Sequence, residues 1–256
     1  MSRNSRKMTS FQTFSNPDYS GLQELLDSEY GLVNYSRTLV HKLHDKLNLE
    51  DFDKRNVLKL LEFGAGTGSL ADIFKSEFGI SPECIELDPK LLRVLLNKGY
   101  QAHQFLDEAT QDYSSIYCSN VLEHIENDFE VLSKFYNCLI LEGAIAIYVP
   151  AFPILFAEMD KQVGHVRRYT KKEIKQKIKD AGFEVQSVEY NDTLGFIAAL
   201  VVKVVGYRHF QTIGTAKSFK IYDKVIYPVS KMLDAIGFRF IFGKNLLVIA
   251  KKSQLQ

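Results

Sequence analysis

The stretch LEFGAGTGSL at residues 61–70 decides the fold of this chain. It places Gly64, Gly66 and Gly68 within five positions, directly after an apolar run that ends at Phe63. Glycine inside a regular element costs about 0.5 to 1 kcal/mol relative to alanine, so three so close together need a compensating reason. Either the main chain turns through positive φ values, or another molecule contacts it closely. The stretch predicts a tight turn from a strand into a helix.

Strand-like and helix-like patterns alternate along the rest of the chain. Helix starts are marked by Asp88 followed by Pro89, and by a capping box from Thr170 to Glu173. Seven strands are predicted, at residues 57–63, 83–87, 101–105, 114–119, 144–149, 185–190 and 245–249. Strands separated by helices pair in parallel through right-handed crossovers. We therefore predict an α/β fold: a doubly wound, Rossmann-like, mostly parallel seven-stranded sheet with helices on both faces and a helical insertion before the last strand.

Length and composition are those of a packed globular protein. The chain has 256 residues, of which 46% are hydrophobic, enough for one large domain. Its three cysteines form no metal-type pair and are expected to be buried thiols, which favours a reducing cytoplasm. Residues 1–18 are polar and basic, which predicts a flexible tail and no secretory signal. The longest apolar run, residues 194–205, is shorter than the roughly 20 residues that span a bilayer.

The glycine turn is a predicted ligand site. In a doubly wound sheet, a nucleotide-like ligand meets the main chain at the first strand-to-helix turn. Ser69 breaks the dinucleotide fingerprint, and no lysine follows as it would in a P-loop. Glu86 ends the second predicted strand 22 positions after Gly64, near the roughly 20-residue offset at which a carboxylate reaches a ribose diol. These features indicate a cofactor that contains ribose.

The pattern resembles the class I S-adenosylmethionine-dependent methyltransferases. Residues 120–124, NVLEH, look like the V-L-E-H signature of the small-molecule branch, and residues 165–170, HVRRYT, resemble its H-x-R-x-Y-[ST] element. Residues 181–183, AGF, match its A-G-F ending. The resemblance covers about residues 30–190 and the final strand. It implies an enzyme whose cofactor is S-adenosyl-L-methionine.

The resemblance also implies the cofactor-binding residues: Glu62, Gly64, Ala65, Gly66, Gly68, Glu86, Leu87, Asp107 and Asn120. Several have a structural alternative. Glu62 either orders the loop and the methionine amino group or is a solvated strand-end charge. Asp107 lies beside the adenine or in a turn, and Asn120 contacts the cofactor or caps a turn. Tyr35 either covers the cofactor or packs.

The catalytic and substrate-binding candidates come from the two later motifs. His124 and His165 are candidate general bases, which matter when the acceptor is a hydroxyl, and each has a structural alternative. Arg167, Arg168 and Tyr169 either form a lid that touches the substrate or belong to a surface strand paired with acids such as Asp160. No metal-binding motif is present, and the adjacent Glu123 and His124 are the first positions at which a metal would be sought.

The predicted organisation is one methyltransferase domain over residues 19–256. A helical region at 19–54 precedes the cofactor-binding half at 55–150 and the substrate-side region at 151–192. The helical insertion covers 193–242, and the final strand 243–252. The sequence does not indicate an oligomeric state.

Charge and motif patterns bear on the acceptor. Nucleic-acid amino-methyltransferases place Pro-Pro and an aromatic residue after the fourth strand, whereas Val121 and Leu122 follow Asn120 here. With a net charge of only +1, nucleic acid is disfavoured. From Leu194 onward about ten basic residues face two acids. This favours either an acidic acceptor or one presented at an anionic membrane surface contacted by residues 194–242, such as a lipid-linked saccharide or an isoprenoid. The alternative is an ordinary helical cap with lysines in water. The expected acceptor is a small molecule that is methylated on oxygen.

Two other functions share the predicted fold. An NAD-dependent oxidoreductase is disfavoured by Ser69 and by the absence of a catalytic Tyr-x-x-x-Lys stretch near the cleft. A catalytically inactive S-adenosylmethionine-binding module would be expected to lose the glycines or Glu86, and this chain has them.

Overall fold

The computed structural model of this chain describes residues 31–205 and 216–253, so the predicted tail at 1–18 lies outside the described residues. One sheet holds seven strands in the order β3-β2-β1-β4-β5-β7-β6. The strands are β1 (Leu60–Phe63), β2 (Glu83–Ile85), β3 (Ala102–His103), β4 (Tyr113–Ser119), β5 (Leu139–Pro150), β6 (Glu184–Asn191) and β7 (Asn245–Lys251). The predicted fold class is confirmed, although β1 and β3 are shorter than their sequence patterns suggest.

Strand β7 makes the sheet mixed. Strands β1 to β5 pair in parallel, whereas β7 runs antiparallel to both neighbours, β5 and β6. The inference of parallel pairing from alternating elements is therefore wrong for β7. The insertion is the physical reason for this direction. It starts at the carboxyl end of β6 and returns the chain at that same end of the sheet, so β7 runs back without a crossover.

Helices cover both faces, as predicted. They are α1 (Val33–Lys46), α2 (Leu49–Lys54), α3 (Ser69–Phe78), α4 (Pro89–Asn97), α5 (Asp128–Cys138), α6 (Glu158–Gln162) and α7 (Lys171–Asp180). Two helix starts form as the sequence indicated, because Asp88 accepts hydrogen bonds from the first turn of α4 and Thr170 accepts one from Glu173 N. The two larger apolar clusters include Phe135 of α5 and Phe74 of α3, so the sheet lies between two buried layers. The three cysteines are buried and free.

The described part of the insertion is helical. It contains α8 (Thr193–Val205), α9 (Ala216–Ile221), a π-helical turn (Tyr222–Ile226), α10 (Tyr227–Ala235) and a 3₁₀ turn (Phe238–Phe240). Among the described helices, none combines the length and the apolar character needed to cross a bilayer.

Buried carboxylates attach the insertion to the end of β6. Asp234 accepts hydrogen bonds from the main-chain N–H groups of Asp192 and Thr193, at 2.9 and 3.2 Å. Asp192 in turn accepts from Gly195 N at 3.0 Å and from Ser230 Oγ at 2.9 Å. Carboxylates at a helix N-terminus satisfy N–H groups that have no partner within the helix and complement its dipole. The start of α8 is therefore fixed against α10.

A third carboxylate ties the insertion to the first helix. Asp223 is buried, and its two oxygens accept hydrogen bonds from Asn34 N at 2.9 Å and Tyr35 N at 2.8 Å in the first turn of α1. Asp223 and Asp234 are the only acids between residues 194 and 242. Because both carboxylates are buried and accept internal hydrogen bonds, they do not offset the positive charge on the outer surface of the insertion.

Gly195 tests this attachment. A Cβ atom at position 195 would overlap the Asp192 carboxylate, so we expect Gly195→Ala to lower the free energy of unfolding by about 1 to 3 kcal/mol. Denaturant titration measures the change, with Ala198→Ser as a control that adds one atom at an exposed position of the same helix. Equal stabilities of the two variants would contradict the anchoring role of Asp192.

Candidate active site

The glycine turn lies between the ends of β1, β2 and β4. Gly64, Gly66 and Gly68 have φ values of 75°, 58° and 83°, a conformation that residues with a side chain rarely adopt. A Cβ on Gly64 would also overlap the side chain of Val121, which follows β4. Both conformation and close packing therefore require glycine, and the predicted turn is confirmed.

Glu86 lies directly against this turn. Its Oε2 accepts a hydrogen bond from Gly66 N at 2.8 Å, and its Oε1 accepts one from Asp88 N at 2.9 Å. A carboxylate offers about four lone-pair sites, so acceptor capacity remains for a hydroxyl of a ribose. Burial raises the pKa of Glu86 above its usual value, opposed by main-chain hydrogen bonds from Asp88, Gly66 and Leu87. The Glu86 carboxylate and the glycine turn fit an adenosyl cofactor. Ala65 is buried in the turn, and Leu87 is exposed beside Glu86.

Glu62 is buried at the end of β1. Only 3% of its surface is exposed, which excludes the alternative of a solvated strand-end charge. Burial and the neighbouring Glu62 carboxylate raise the pKa of Tyr117 well above its usual value, so the carboxylate faces the layer that contains Tyr117. Its predicted contact with the methionine part of the cofactor stays a prediction.

The two remaining cofactor candidates are exposed beyond strand ends. Asp107 lies in a 3₁₀ turn after β3, with its carboxylate 3.4 Å from Lys134 Nζ. Asn120 follows β4 with a φ of 54°, and its N–H donates to Tyr148 O at 2.8 Å. Their cofactor roles stay predictions. Tyr35 takes the packing alternative, because its hydroxyl contacts Tyr148 and its ring packs on Tyr227.

A polar cluster follows β4, beyond Val121 in the chain. His165 Nδ1 lies 2.8 Å from Asp160 Oδ1, and His165 Nε2 lies 3.8 Å from Glu123 Oε1. The His124 and His165 rings meet edge to face, 4.7 Å between centroids. The chain segments are joined by a hydrogen bond from Val166 N to Glu123 O at 2.8 Å. The structure therefore brings the two predicted histidines together, each half-buried.

The electrostatics of this cluster are unusual. Glu123 is fully buried, and among the described residues neither of its oxygens accepts a hydrogen bond from another residue. Burial raises the pKa of Glu123 to about 8. Burial, together with His165, lowers the pKa of His124 to about 4, so this ring is neutral at pH 7. Although burial opposes it, hydrogen bonds from His165 and Arg168 lower the pKa of Asp160 to about 2.

The predicted substrate residues have internal partners. Tyr169 is fully buried, and its hydroxyl donates to Asp128 Oδ2 at 2.8 Å. Arg167 Nη1 donates to the same oxygen at 3.0 Å, and Arg168 Nε donates to Asp160 Oδ1 at 2.8 Å. This is the pairing with acids that the sequence left as the alternative. Substrate contact by these three residues stays a prediction, and for Tyr169 the burial does not support it.

Sequence reasoning missed two buried acids. It did not name Asp128, and it gave Asp160 only as a possible ion-pair partner. No local signal marks either residue, because their partners lie on other elements and are brought together only by the fold.

The assignment of Glu86 can be tested by its effect on cofactor affinity. Hydrogen bonds to charged groups contribute about 1.5 to 3 kcal/mol, so we expect Glu86→Ala to weaken S-adenosylmethionine binding by at least about ten-fold in calorimetry. Glu77→Ala removes an equal charge from a surface carboxylate paired with Arg37 and should bind normally. Unchanged affinity in the Glu86 variant would remove the ribose site.

Three solved structures with a similar fold are distant from this chain in sequence. Phosphoethanolamine N-methyltransferase 2 from Haemonchus contortus, in complex with S-adenosyl-L-methionine, is 19% identical with a TM-score of 0.50; the match covers 77% of this chain but only 49% of that one. A SAM-dependent methyltransferase from Archaeoglobus fulgidus is 16% identical (84% and 94% covered, TM-score 0.51). Geranyl diphosphate C-methyltransferase from Streptomyces coelicolor A3(2), in complex with Mg²⁺, geranyl diphosphate and S-adenosyl-L-homocysteine, is 12% identical (84% and 77%, TM-score 0.54).

At these identities the likeness shows the fold. Comparison with curated proteins gives no match. The family model described as a methyltransferase domain matches residues 34–188, more than half of the chain. This range contains the glycine turn, Glu86 and the cluster around Glu123. The chain belongs to the family of class I S-adenosylmethionine-dependent methyltransferases, enzymes whose cofactor is S-adenosylmethionine.

Proposed function

We propose that this enzyme methylates a hydroxyl oxygen of a small-molecule acceptor that is presented at an anionic membrane surface. The observation that carries the proposal is the outer face of the helical insertion, which is both apolar and cationic and adjoins the edge of the sheet that holds the cofactor turn. The acceptor class that fits is an amphipathic molecule with its apolar part in lipid, such as a lipid-linked saccharide or an isoprenoid.

The insertion lies at the carboxyl edge of the sheet. Helix α8 begins two residues after β6 ends, and β6 runs in the same direction as β5. The ring of Phe196 in α8 packs against Phe152, which follows β5, with centroids 4.9 Å apart. Lys203 Nζ also donates to Phe156 O at 2.9 Å in the loop after β5. Ligands of doubly wound sheets bind beyond this edge, so an acceptor held by the insertion would be near the cofactor.

Apolar side chains form an exposed stripe on each of two neighbouring helical segments. Their spacing places them on one face of each segment, and their exposed fractions range from 40 to 78%. The residues are Ile197, Leu200, Val201, Val204 and Val205 in α8, and Ile221, Val225, Val229, Met232 and Ile236 between α9 and the end of α10. A helical cap of the sheet would bury such residues, so the stripes support a surface that meets an apolar partner.

The charges beside the stripes favour anionic lipid as that partner. Lys217, Lys220, Lys224 and Lys231 are exposed, whereas the two acids of the insertion are buried. A lysine near an anionic bilayer contributes about 1 kcal/mol, and apolar side chains insert at the headgroup boundary. The electrostatic attraction of the lysines and the insertion of the apolar side chains would act on the same face of the protein.

The polar cluster supports oxygen as the acceptor atom. When bound, S-adenosylmethionine supplies an electrophilic methyl group, which leaves positioning and proton removal to the protein. The glycine turn and Glu86 would orient the adenosyl part, and orientation accounts for about 7 to 11 kcal/mol of barrier lowering in favourable cases. Because Asp160 accepts from His165 Nδ1, Nε2 is the atom left to take the proton that the acceptor hydroxyl loses as its oxygen receives the methyl.

A transfer assay tests the reaction. With tritiated methyl donor, we expect label in a component of a lipid extract, and we expect His165→Asn to lower turnover by about 10² to 10⁴-fold, the range for loss of a general base. Its affinity for S-adenosylmethionine should be unchanged. The control is His41→Asn, which changes an exposed histidine of α1 that is paired with Glu77 of α3. Label confined to aqueous metabolites, or none, would contradict the proposal.

Vesicle flotation tests the surface. The wild-type chain should float with phosphatidylglycerol-containing vesicles at low salt, and the double change Val204→Glu with Ile236→Glu should abolish flotation, because each places a charge in an apolar stripe. Leu96→Glu, at an exposed apolar position of α4, is the matched control and should float normally. Equal flotation of the double variant and the Leu96→Glu control would refute the anionic-lipid assignment. Binding of the wild-type chain to neutral vesicles alone would also refute it.

A further inference from the structure

The side chains of Glu123, His124 and His165 converge on one point at the carboxyl edge of the sheet. One potential ligand atom from each lies within 4.8 Å of the others. We propose that these three residues bind a divalent transition-metal ion of the Zn²⁺ class, and that the ion binds the acceptor oxygen and promotes loss of its proton to solvent, a role that would replace proton transfer to His165 Nε2. The second part rests on the proposed methyl transfer, whereas the binding of the ion does not.

The buried carboxylate is the first support. Glu123 is fully buried, and no other described residue donates a hydrogen bond to either of its oxygens. Buried polar groups nearly always have partners, and one without a partner calls for an explanation such as an ion. A cation between Glu123 and the two imidazoles would satisfy this carboxylate.

The orientation of His165 is the second support. Its Nδ1 lies 2.8 Å from Asp160 Oδ1, and its Nε2 is directed at Glu123 Oε1, 3.8 Å away. Metal-binding histidines almost always donate their other ring N–H to a carboxylate or carbonyl, which fixes the tautomer. Asp160 is therefore a positioning residue, and it is held in turn by Arg168 at 2.8 Å.

Distances and charge are compatible with a bound ion. Metal–ligand bonds of about 2.1 Å allow two ligand atoms to be at most about 4.2 Å apart. The Glu123–His165 pair, at 3.8 Å, is inside this limit. The widest separation in the cluster is at most 4.8 Å, and two atoms that far apart would have to approach by roughly 0.6 Å to bind one ion. Arg168 offsets the charge of Asp160, and Glu123 would give up its proton on binding the cation, because ligands bind metals in their deprotonated form.

The donor set selects the kind of metal and its role. Two imidazoles and one carboxylate are typical of catalytic Zn²⁺ and of related transition metals, whereas Mg²⁺ prefers oxygen ligands. Catalytic sites keep one coordination position open. The two histidines are half-buried while Glu123 is enclosed, so the open position faces outward, where an acceptor hydroxyl would bind.

Titration of the metal-free protein with Co²⁺ tests the site. We expect one equivalent per chain with visible bands typical of nitrogen and oxygen ligands, displaced by Zn²⁺ and not by Mg²⁺. Glu123→Gln and His165→Asn should each weaken binding at least ten-fold, and Asp160→Asn by about 10- to 100-fold. His41→Asn, which breaks an exposed His–Glu pair, is the control and should bind normally.

Stability and cofactor affinity separate this role from a structural one. Glu123→Gln should keep its melting temperature and its affinity for S-adenosylmethionine while losing Co²⁺ affinity. Absence of saturable Co²⁺ binding to the wild-type chain, or wild-type Co²⁺ affinity in Glu123→Gln and His165→Asn, would overturn the site. Because the titration uses no methyl donor or acceptor, such a failure leaves the proposed methyl transfer standing. A chain that binds Co²⁺ in this way but labels no acceptor keeps the ion site and refutes the proposed function.

Discussion

The contact between the glycine turn and Val121, which follows β4, is the constraint on which the rest of the site depends. Val121 fills the space where a side chain at position 64 would be, and Glu86 accepts a hydrogen bond from the turn at Gly66 N. Three strand ends are thereby held at one point of the carboxyl edge. Because Glu123 is two residues beyond Val121, the same packing that shapes the cofactor turn also places the cluster of Glu123 and the two histidines beside it.

The elements predicted best from the sequence are those whose signals are local. Positive φ at Gly64, the cap at Asp88 and the N-cap at Thr170 each depend on a few adjacent residues, and each forms as predicted. The direction of β7 could not be predicted in this way, because it depends on where the insertion returns the chain. For the same reason, the motif around Glu123 did not reveal a buried carboxylate that accepts no hydrogen bond from another described residue.

The segment at residues 165–169 shows the limit of motif reasoning more clearly. Its polar side chains look like a substrate lid in the sequence, and the fold directs them at Asp128 and Asp160. Ion pairs of this kind contribute little net stability when buried, since desolvation opposes the attraction. Their consequence is geometric: they hold His165 at a fixed distance from Glu123, which a mobile lid would not do.

Phe152 connects the helical insertion with this segment. It has a φ of 59°, which is strained for a large side chain and costs on the order of 1 to 3 kcal/mol. Its ring stacks on Tyr190 of β6 and packs on Phe196 of α8, while its N–H donates to Tyr169 O at 2.9 Å. These contacts offset the strain and keep the residue in place. The helix proposed to meet lipid and the segment that carries His165 therefore both contact Phe152, so the position of the proposed acceptor-binding surface is coupled to that of the histidine proposed to act on the acceptor.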